Sequence, residues 1–284
     1  AKAEFFASRG LAKICVPQES LEDVGGCYHF KKWLRARKEV FSEAGIKLGI
    51  MPKGILFVGP FGVGKSLLSR AIANELGWRY LEWDTGNLMD MYVGNTEHAT
   101  DDLLELSELH APCVVRLDEV SHQLSGHESS GVTDSGVMSR MVGKLLTFME
   151  ERAKGLFFVM STNEPWKLPP AFIRSGRIDG VWRLSLPKED ELEEILRLQI
   201  NKFAPSLVDS CDKMNDLVSY MQEQKFSGAD VRQMVVEAMQ TSFPKPPKVK
   251  DLETIAREIV PAYKTQSELV KKIEGWAEHR ARKA

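Results

Sequence analysis

The stretch Lys53-Gly-Ile-Leu-Phe-Val-Gly-Pro-Phe-Gly-Val-Gly-Lys-Ser66 decides the fold of this chain. Its apolar run 55–58 predicts a buried strand that ends at Gly59. A glycine-rich loop follows, and residues 67–76 have the pattern of a helix. The spacing Gly-x-x-x-x-Gly-Lys-Ser between a strand and a helix is typical of a phosphate-binding loop. The sequence therefore predicts nucleotide binding.

Each part of this loop has a physical role. Glycines let consecutive backbone N–H groups turn inward around an anion, and the helix N-terminus adds partial positive charge. Lys65 can reach the β- and γ-phosphates, and the Ser66 hydroxyl is the kind of hard oxygen ligand that Mg²⁺ prefers. A chance glycine-rich turn is the alternative, but the flanking strand and helix favour nucleotide binding. The residues predicted to bind the nucleotide here are Gly59, Pro60, Phe61, Gly62, Val63, Gly64, Lys65, Ser66 and Leu67.

The composition of the chain is typical of a soluble globular protein. It has 284 residues, 43% hydrophobic and 27% charged, and this length favours two domains. The net charge of −2 gives no basic footprint for nucleic acid. No apolar stretch approaches the ~20 residues of a membrane span. The four cysteines contain no Cys-x-x-Cys pair, which favours buried or free thiols in a reducing compartment. The six histidines show no metal spacing.

Strand and helix patterns alternate along the first two thirds of the chain. Further strands are predicted at 79–83, 113–119, 155–163 and 181–186, with helices between them. This order predicts a parallel sheet with helices on both faces. Ligands of such sheets bind beyond the carboxyl ends of the strands. Before the phosphate loop, residues 28–43 predict one amphipathic helix.

Beyond Pro187 only helical patterns follow. The predicted fold class is therefore α/β, with a phosphate-loop NTPase sheet flanked by helices and a small all-helical lid domain after it. The predicted boundaries are an N-terminal segment at 1–20, a nucleotide-binding domain at 21–187, a lid at 188–264 and a C-terminal helix at 265–284.

Two carboxylates end the predicted strand that contains Arg116. Asp118 can hold Mg²⁺, and Glu119 can polarise a water for attack on the γ-phosphorus. Asn163, at the end of another predicted strand, could orient the same water. An ordinary acidic turn is the alternative for the pair, but the upstream phosphate loop favours the catalytic interpretation. Arg116 itself is interpreted as an edge or snorkelling residue and is assigned no function.

Several further motifs resemble those of a known protein family. They are Asp23-Val-Gly-Gly26, Tyr92-Val-Gly-Asn-Thr-Glu97, Ser161-Thr-Asn163, the pair Arg174 and Arg177, and Ser227-Gly-Ala-Asp230. Together with the phosphate loop and the two carboxylates, they resemble the AAA clade of the AAA+ ATPases over roughly residues 21–242. Within that clade the chain is similar to an AAA family encoded in algal plastid and cyanobacterial genomes, through stretches at 32–34, 41–43, 131–136 and 276–277.

The resemblance implies an ATPase that binds ATP or ADP with Mg²⁺ and forms a homo-oligomeric ring, usually a hexamer. Arg174 and Arg177 would reach the γ-phosphate of the ATP that is bound to the neighbouring subunit. A pair of surface arginines is the alternative. Tyr92 and Val93 would line the pore and grip a protein substrate through apolar contact. A buried tyrosine at a turn is the alternative there. The residues that the resemblance places around the adenine are Val24, Gly25, Gly228 and Ala229.

The chain departs from the AAA pattern at several positions. Many relatives have aspartate two residues after the catalytic glutamate, where this chain has Ser121, and histidine in the first lid helix, where it has Gln199. The phosphate loop has Phe61 and Val63 in place of proline and threonine, and Ser66 in place of threonine. Because no core catalytic group is replaced, these departures affect only the expected rate and nucleotide preference.

Three functions are compatible with this sequence. The leading hypothesis is an ATP-driven ring that remodels or threads a protein. The second is a nucleotide-gated scaffold, in which ATP controls assembly. The third, a nucleic-acid motor, is disfavoured by the near-neutral charge. No membrane partner is expected, and the expected location is the cytoplasm, or the plastid stroma if the finer resemblance holds.

Overall fold

The centre of the fold is a seven-stranded sheet. The computed structural model describes residues 11–84, 93–121, 143–151, 154–169, 172 and 178–284, apart from the side chains of 93–97 and 212. The strands are β1 (Ala12–Cys15), β2 (Gly54–Val58), β3 (Arg79–Trp83), β4 (Cys113–Leu117), β5 (Leu156–Thr162), β6 (Gly180–Arg183) and β7 (Arg282–Lys283). Their order is β1-β3-β4-β5-β2-β6-β7, and each neighbouring pair is parallel except β1 with β3.

The three central strands β2, β4 and β5 are buried along their whole length. Strands covered on both faces are nearly continuous apolar runs, which explains their strong sequence signal. Val58 pairs with Thr162, and Leu117 pairs with Met160. The carboxyl ends of these strands therefore meet at one edge of the sheet, which places the residues that follow them close together.

Helices cover both faces of the sheet. They are α1 (Tyr28–Arg35), α2 (Glu43–Leu48), α3 (Lys65–Leu76), α4 (Val93–Leu109), α5 (143–151), α6 (Glu189–Phe203), α7 (Asn215–Gln224), α8 (Gly228–Ser242), α9 (Val249–Glu258) and α10 (Ala262–Ala277). On one face α1 and α3 pack through buried Phe30 and Ile72. On the other, α4 and α5 pack through Leu103 and Leu145. The α/β fold class with covered faces is thus confirmed.

A third hydrophobic cluster belongs to the helices after the sheet. Helices α6 to α9 bury Leu196, Val218, Val231 and Leu252 against one another. This helical region confirms the small all-helical part of the predicted fold. Helix α10 instead returns to the sheet, where Ile273 joins the cluster formed with α4 and α5. The domain boundaries proposed from sequence stay predictions.

The single helix predicted over 28–43 was wrong. Helix α1 ends at Arg35, a short 3-10 helix spans Lys38–Phe41, and α2 begins at Glu43. The break has a local cause, because the Ser42 hydroxyl accepts a hydrogen bond from the Gly45 amide and caps a new helix.

Both edge strands of the sheet were missed by the sequence patterns. β1 has four residues and β7 only two, and each is held by backbone pairing with a neighbour. The C-terminal helix predicted at 265–284 ends earlier, at Ala277, and β7 follows it. None of the helices in the described part of the chain has the length and apolar character that crossing a membrane requires.

Candidate active site

The loop between β2 and α3 has a backbone that only glycine supports well. Gly62 and Gly64 have φ angles of 80° and 89°, in the left-handed region. A Cβ on Gly59 would lie 2.3 Å from the Leu184 carbonyl oxygen, which is closer than atoms can approach. These constraints fit a loop whose backbone N–H groups surround an anion at the start of a twelve-residue helix.

Lys65 begins α3 and is buried, with only 8% of its side chain exposed. Its Nζ donates hydrogen bonds to the carbonyl oxygens of Gly59 at 2.7 Å and Pro60 at 2.9 Å. The Glu119 Oε1 atom lies 3.8 Å from the same nitrogen. Burial lowers the pKa of Lys65, while Glu119 and Asp118 act in the opposite direction. The structure therefore holds a desolvated cation against the phosphate loop, where an anionic ligand would stabilise its charge.

Asp118 and Ser66, the two predicted magnesium ligands, come together at one point. Asp118 follows β4 and accepts a hydrogen bond from Ser161 on β5 through Oδ1. Its other oxygen, Oδ2, accepts from Nη2 of Arg116. The same Nη2 donates to the Ser66 Oγ atom at 2.6 Å. Oδ2 of Asp118 and Oγ of Ser66 therefore both contact the guanidinium group of Arg116.

The oxygen donors of Ser66 and Asp118 are of the kind that Mg²⁺ prefers. A hydroxyl and a carboxylate are hard oxygen ligands, and the shared guanidinium nitrogen shows that they can bind positive charge jointly. Magnesium sites that include nucleotide phosphates usually need only one or two protein carboxylates. The described residues contain no group of three or more His, Cys, Asp or Glu that could hold a metal.

Glu119 has an unusual backbone conformation, with φ at 46°. A non-glycine residue rarely adopts this left-handed region. Its Oε2 atom accepts a hydrogen bond from the backbone N–H of Asn163 at 3.3 Å. Asn163 is 1% exposed, and its side-chain Oδ1 has no hydrogen-bond partner among the described residues. A buried unpaired oxygen is costly, so this atom offers an acceptor for a water or ligand beside Glu119.

The segment after Glu119 is fixed to the end of β5. The Ser121 hydroxyl accepts a hydrogen bond from the Thr162 hydroxyl at 2.6 Å, and both side chains are fully buried. Thr162 also accepts from the Glu164 backbone N–H at 3.0 Å. Ser121, one of the departures from the AAA pattern, thus helps to hold the loops after β4 and β5 together.

The lid helices contact the phosphate loop directly. The Ala229 backbone N–H, at the start of α8, donates to the Gly62 carbonyl oxygen at 3.1 Å. A Cβ on Gly25 would lie 2.5 Å from Cγ1 of Ile195 on α6. A Cβ on Gly228, beside Ala229, would lie 3.4 Å from the same Gly62 carbonyl oxygen. The segment before α1, the phosphate loop and the lid therefore meet at one place.

A carboxylate on the lid reinforces this meeting point. Oε2 of Glu194 on α6 accepts hydrogen bonds from the Gly26 backbone N–H at 2.8 Å and the Tyr28 hydroxyl at 2.7 Å. The bond to Glu194 raises the pKa of Tyr28. Val24 is buried next to this contact. Gln199, the second departure, has a buried Oε1 with no partner within the described ranges.

Most of the predicted site residues therefore lie around one edge of the sheet. Tyr92, Arg174 and Arg177 lie outside the described residues, and of Val93 only the backbone, at the start of α4, is described. The sequence interpretation of Arg116 as an edge or snorkelling residue was wrong, because β4 is an inner strand and Arg116 is 4% exposed. The sequence did contain a signal for the importance of Arg116, because this arginine lies within an apolar strand, two residues before the predicted metal ligand Asp118.

Comparison with known proteins agrees with this geometry. Residues 55–186 match the model of the family "ATPase family associated with various cellular activities (AAA)". The "Uncharacterized AAA domain-containing protein ycf46" of Pyropia yezoensis is 34% identical over 266 residues, covering 92% of this chain and 53% of that protein. Its namesake from Guillardia theta is 30% identical over 279 residues, 97% of this chain and 54% of that protein. This chain thus spans about half the length of these relatives.

A further relative and a solved structure also match this chain. Protein mac-1 of Caenorhabditis elegans is 31% identical over 248 residues, 84% of this chain and 29% of that protein. The crystal structure of the FIGL-1 AAA domain superimposes with a TM-score of 0.73 at 20% identity, over 98% of this chain and 95% of that one. At this identity the likeness concerns the fold alone.

Proposed function

Because the chain belongs to the AAA family of ATPases, we propose that it hydrolyses ATP at the edge of the sheet where β2, β4 and β5 end. The observation that carries the proposal is the position of Glu119 between Lys65 and Asn163. A solved FIGL-1 AAA domain in complex with ADP, with a TM-score of 0.72, supports nucleotide binding by this fold.

Each residue of this group has a role in the proposed hydrolysis. Lys65 binds the terminal phosphates and stabilises their negative charge. Glu119 accepts a proton from the attacking water, and the buried amide oxygen of Asn163 orients that water. Ser66 and Asp118 would hold Mg²⁺. When bound, the metal neutralises charge on the phosphate oxygens.

We further infer that the protein works as a homo-oligomeric ring, with six subunits as the usual number for this family. Arg174 and Arg177 would complete the site of the neighbouring subunit, and Tyr92 and Val93 would grip a protein that is remodelled or threaded. The sequence motifs support this part of the proposal. A location in the cytoplasm or plastid stroma is part of the same proposal.

The hydrolysis step is tested by phosphate release from ATP by the purified chain. We expect Lys65→Ala to lose both nucleotide binding and hydrolysis, because a buried cation at the phosphates is removed. Lys271→Ala, on the exposed surface of α10, is the matched control and should behave as wild type. Full activity of Lys65→Ala would contradict the proposed site.

The remodelling step is tested separately by unfolding of a tagged, destabilised protein. Tyr92→Ala should hydrolyse ATP but fail to unfold this protein. Arg177→Ala should keep nucleotide binding but lose hydrolysis, and mixing it with Lys65→Ala should restore part of the activity, because each variant supplies what the other lacks. Normal unfolding by Tyr92→Ala would refute threading and favour a nucleotide-gated scaffold.

A further inference from the structure

Arg116 is a buried cation inside the predicted metal site. Its Nη2 atom lies between the Ser66 hydroxyl and the Asp118 carboxylate and donates a hydrogen bond to each. Its Nη1 atom donates to Oε1 of Glu82 on β3, which is the residue paired with Arg116 in the sheet. One guanidinium therefore bridges two carboxylates and the serine hydroxyl at the start of α3.

The position of this guanidinium conflicts with a metal ion at the same oxygens. A lone pair of Ser66 that accepts from Arg116 is not available in the same direction for a metal. Two positive charges a few ångströms apart repel each other strongly in a partly buried site. Deprotonation does not relieve this repulsion, because the arginine guanidinium stays charged in proteins.

Glu82 gives Arg116 a second anchor that is independent of the metal ligands. The Glu82 side chain is 34% exposed, so it lies at the boundary between the sheet and solvent. The hydrogen bond from Arg116 to Glu82 can persist when Asp118 and Ser66 bind a metal ion. In a metal-bound site, Ser66 and Asp118 would contact the ion instead of the Nη2 atom of Arg116.

We propose that Arg116 is an internal cation that competes with Mg²⁺ for Ser66 and Asp118. It makes nucleotide binding in this protein less dependent on Mg²⁺ than in a site where the same position is neutral. This inference rests on the proposed nucleotide site and adds a regulatory property to it. Free Mg²⁺, rather than nucleotide alone, then sets how much of the bound nucleotide is ready for hydrolysis.

The test is equilibrium binding of a fluorescent ADP analogue with excess Mg²⁺ and, separately, with excess EDTA. The dissociation constant with EDTA, divided by the dissociation constant with Mg²⁺, measures the coupling between metal and nucleotide. We expect Arg116→Met to raise this ratio by about tenfold, within the usual range of couplings between sites. Arg116→Lys, which keeps a positive charge, should raise it less.

Two further variants make the test specific. Arg79→Met removes an exposed arginine from β3 and should leave the ratio unchanged. Glu82→Gln removes the competing carboxylate, so Arg116 should bind Ser66 and Asp118 more firmly and the ratio should fall. If Arg116→Met does not fold, because it leaves Glu82 unpaired, the double variant Arg116→Met/Glu82→Gln removes both charges and is measured instead.

The outcomes separate this inference from the proposed function. An unchanged ratio in Arg116→Met, or in the double variant, would overturn the competition between Arg116 and Mg²⁺ while leaving the nucleotide site intact. Absence of nucleotide binding by the wild type with Mg²⁺ and with EDTA would instead contradict the proposed function itself. A raised ratio in Arg116→Met together with a lowered ratio in Glu82→Gln supports the inference.

Discussion

The backbone N–H of Asn163 donates to the Glu119 carboxylate at 3.3 Å, and this bond joins the loops that follow β5 and β4. Glu119 adopts a left-handed backbone conformation to reach this position. A residue in such a conformation persists only when its surroundings hold it there. The hydrogen bond between Ser121 and Thr162 provides one such constraint.

Asn163→Ala should lower kcat of ATP hydrolysis by about a hundredfold, a size typical of one lost orienting or charge-stabilising group. Nucleotide affinity should stay within about threefold of wild type, because the amide acts on the water rather than on the phosphates. Steady-state kinetics that separate kcat from KM, with nucleotide binding measured directly, check this. Asn201→Ala, on the exposed side of α6, is the control. A change in affinity alone would contradict the proposed role of Asn163.

Gly25→Ala should weaken nucleotide binding by about tenfold, because it pushes the segment before α1 away from α6. An effect of about tenfold lies within the usual range of coupling free energies. The added methyl group would lie 2.5 Å from Cγ1 of Ile195, so α6 must move away from the segment before α1. Fluorescent nucleotide binding checks this prediction. Gly275→Ala is the control, because a Cβ there meets nothing within 4 Å among the described atoms. Equal affinity in both variants would show that this contact does not support the nucleotide site.

Asp230→Ala should lower the free energy of unfolding of the lid helices by about 2 kcal/mol. Its buried carboxylate accepts from the Ser227 backbone N–H and hydroxyl, each at 2.7 Å, and caps α8. It also accepts from the Ala262 N–H at 3.4 Å. Urea unfolding followed by circular dichroism measures the loss. Asp216→Ala, in the first turn of α7, loses a helix-dipole interaction and should cost less than about 1 kcal/mol.

The Cys113 thiol should resist alkylation by iodoacetamide at pH 8 in the folded protein. Its side chain is buried in β4, and burial raises its pKa to about 12. Since the thiolate is the reactive form, almost none is present until the pH approaches that value. Mass spectrometry should find Cys113 modified only after unfolding in urea. Rapid modification of the folded chain would show that β4 is more accessible than this fold allows.

The central part of the fold could be predicted because its physical causes are local. Strands β2, β4 and β5 are buried on both faces, which requires continuous apolar runs in the sequence. Parallel strands end at the same edge, so the positions of Asp118 and Asn163 near the phosphate loop followed from the strand pattern alone. The roles assigned to these residues stay predictions.

What could not be predicted depends on distant neighbours. The two-residue strand β7 exists because β6 offers it hydrogen-bond partners, and its own sequence carries no strand pattern. Arg116 was misinterpreted for the same reason. Its partners Glu82 and Ser66 are 34 and 50 residues away along the chain, and only the folded sheet brings them together.

A single-turnover measurement with the protein in excess over radiolabelled ATP tests the proposed role of Glu119 most directly. Product release does not limit such an experiment, so it reports the chemical step at Glu119. Glu119→Gln should still bind ATP, but its hydrolysis rate should fall by at least about a hundredfold, because the amide cannot accept the proton of the attacking water. Glu223→Gln, which changes an exposed glutamate on α7, is the matched control. Hydrolysis by Glu119→Gln within about threefold of wild type would contradict proton acceptance by Glu119 in ATP hydrolysis.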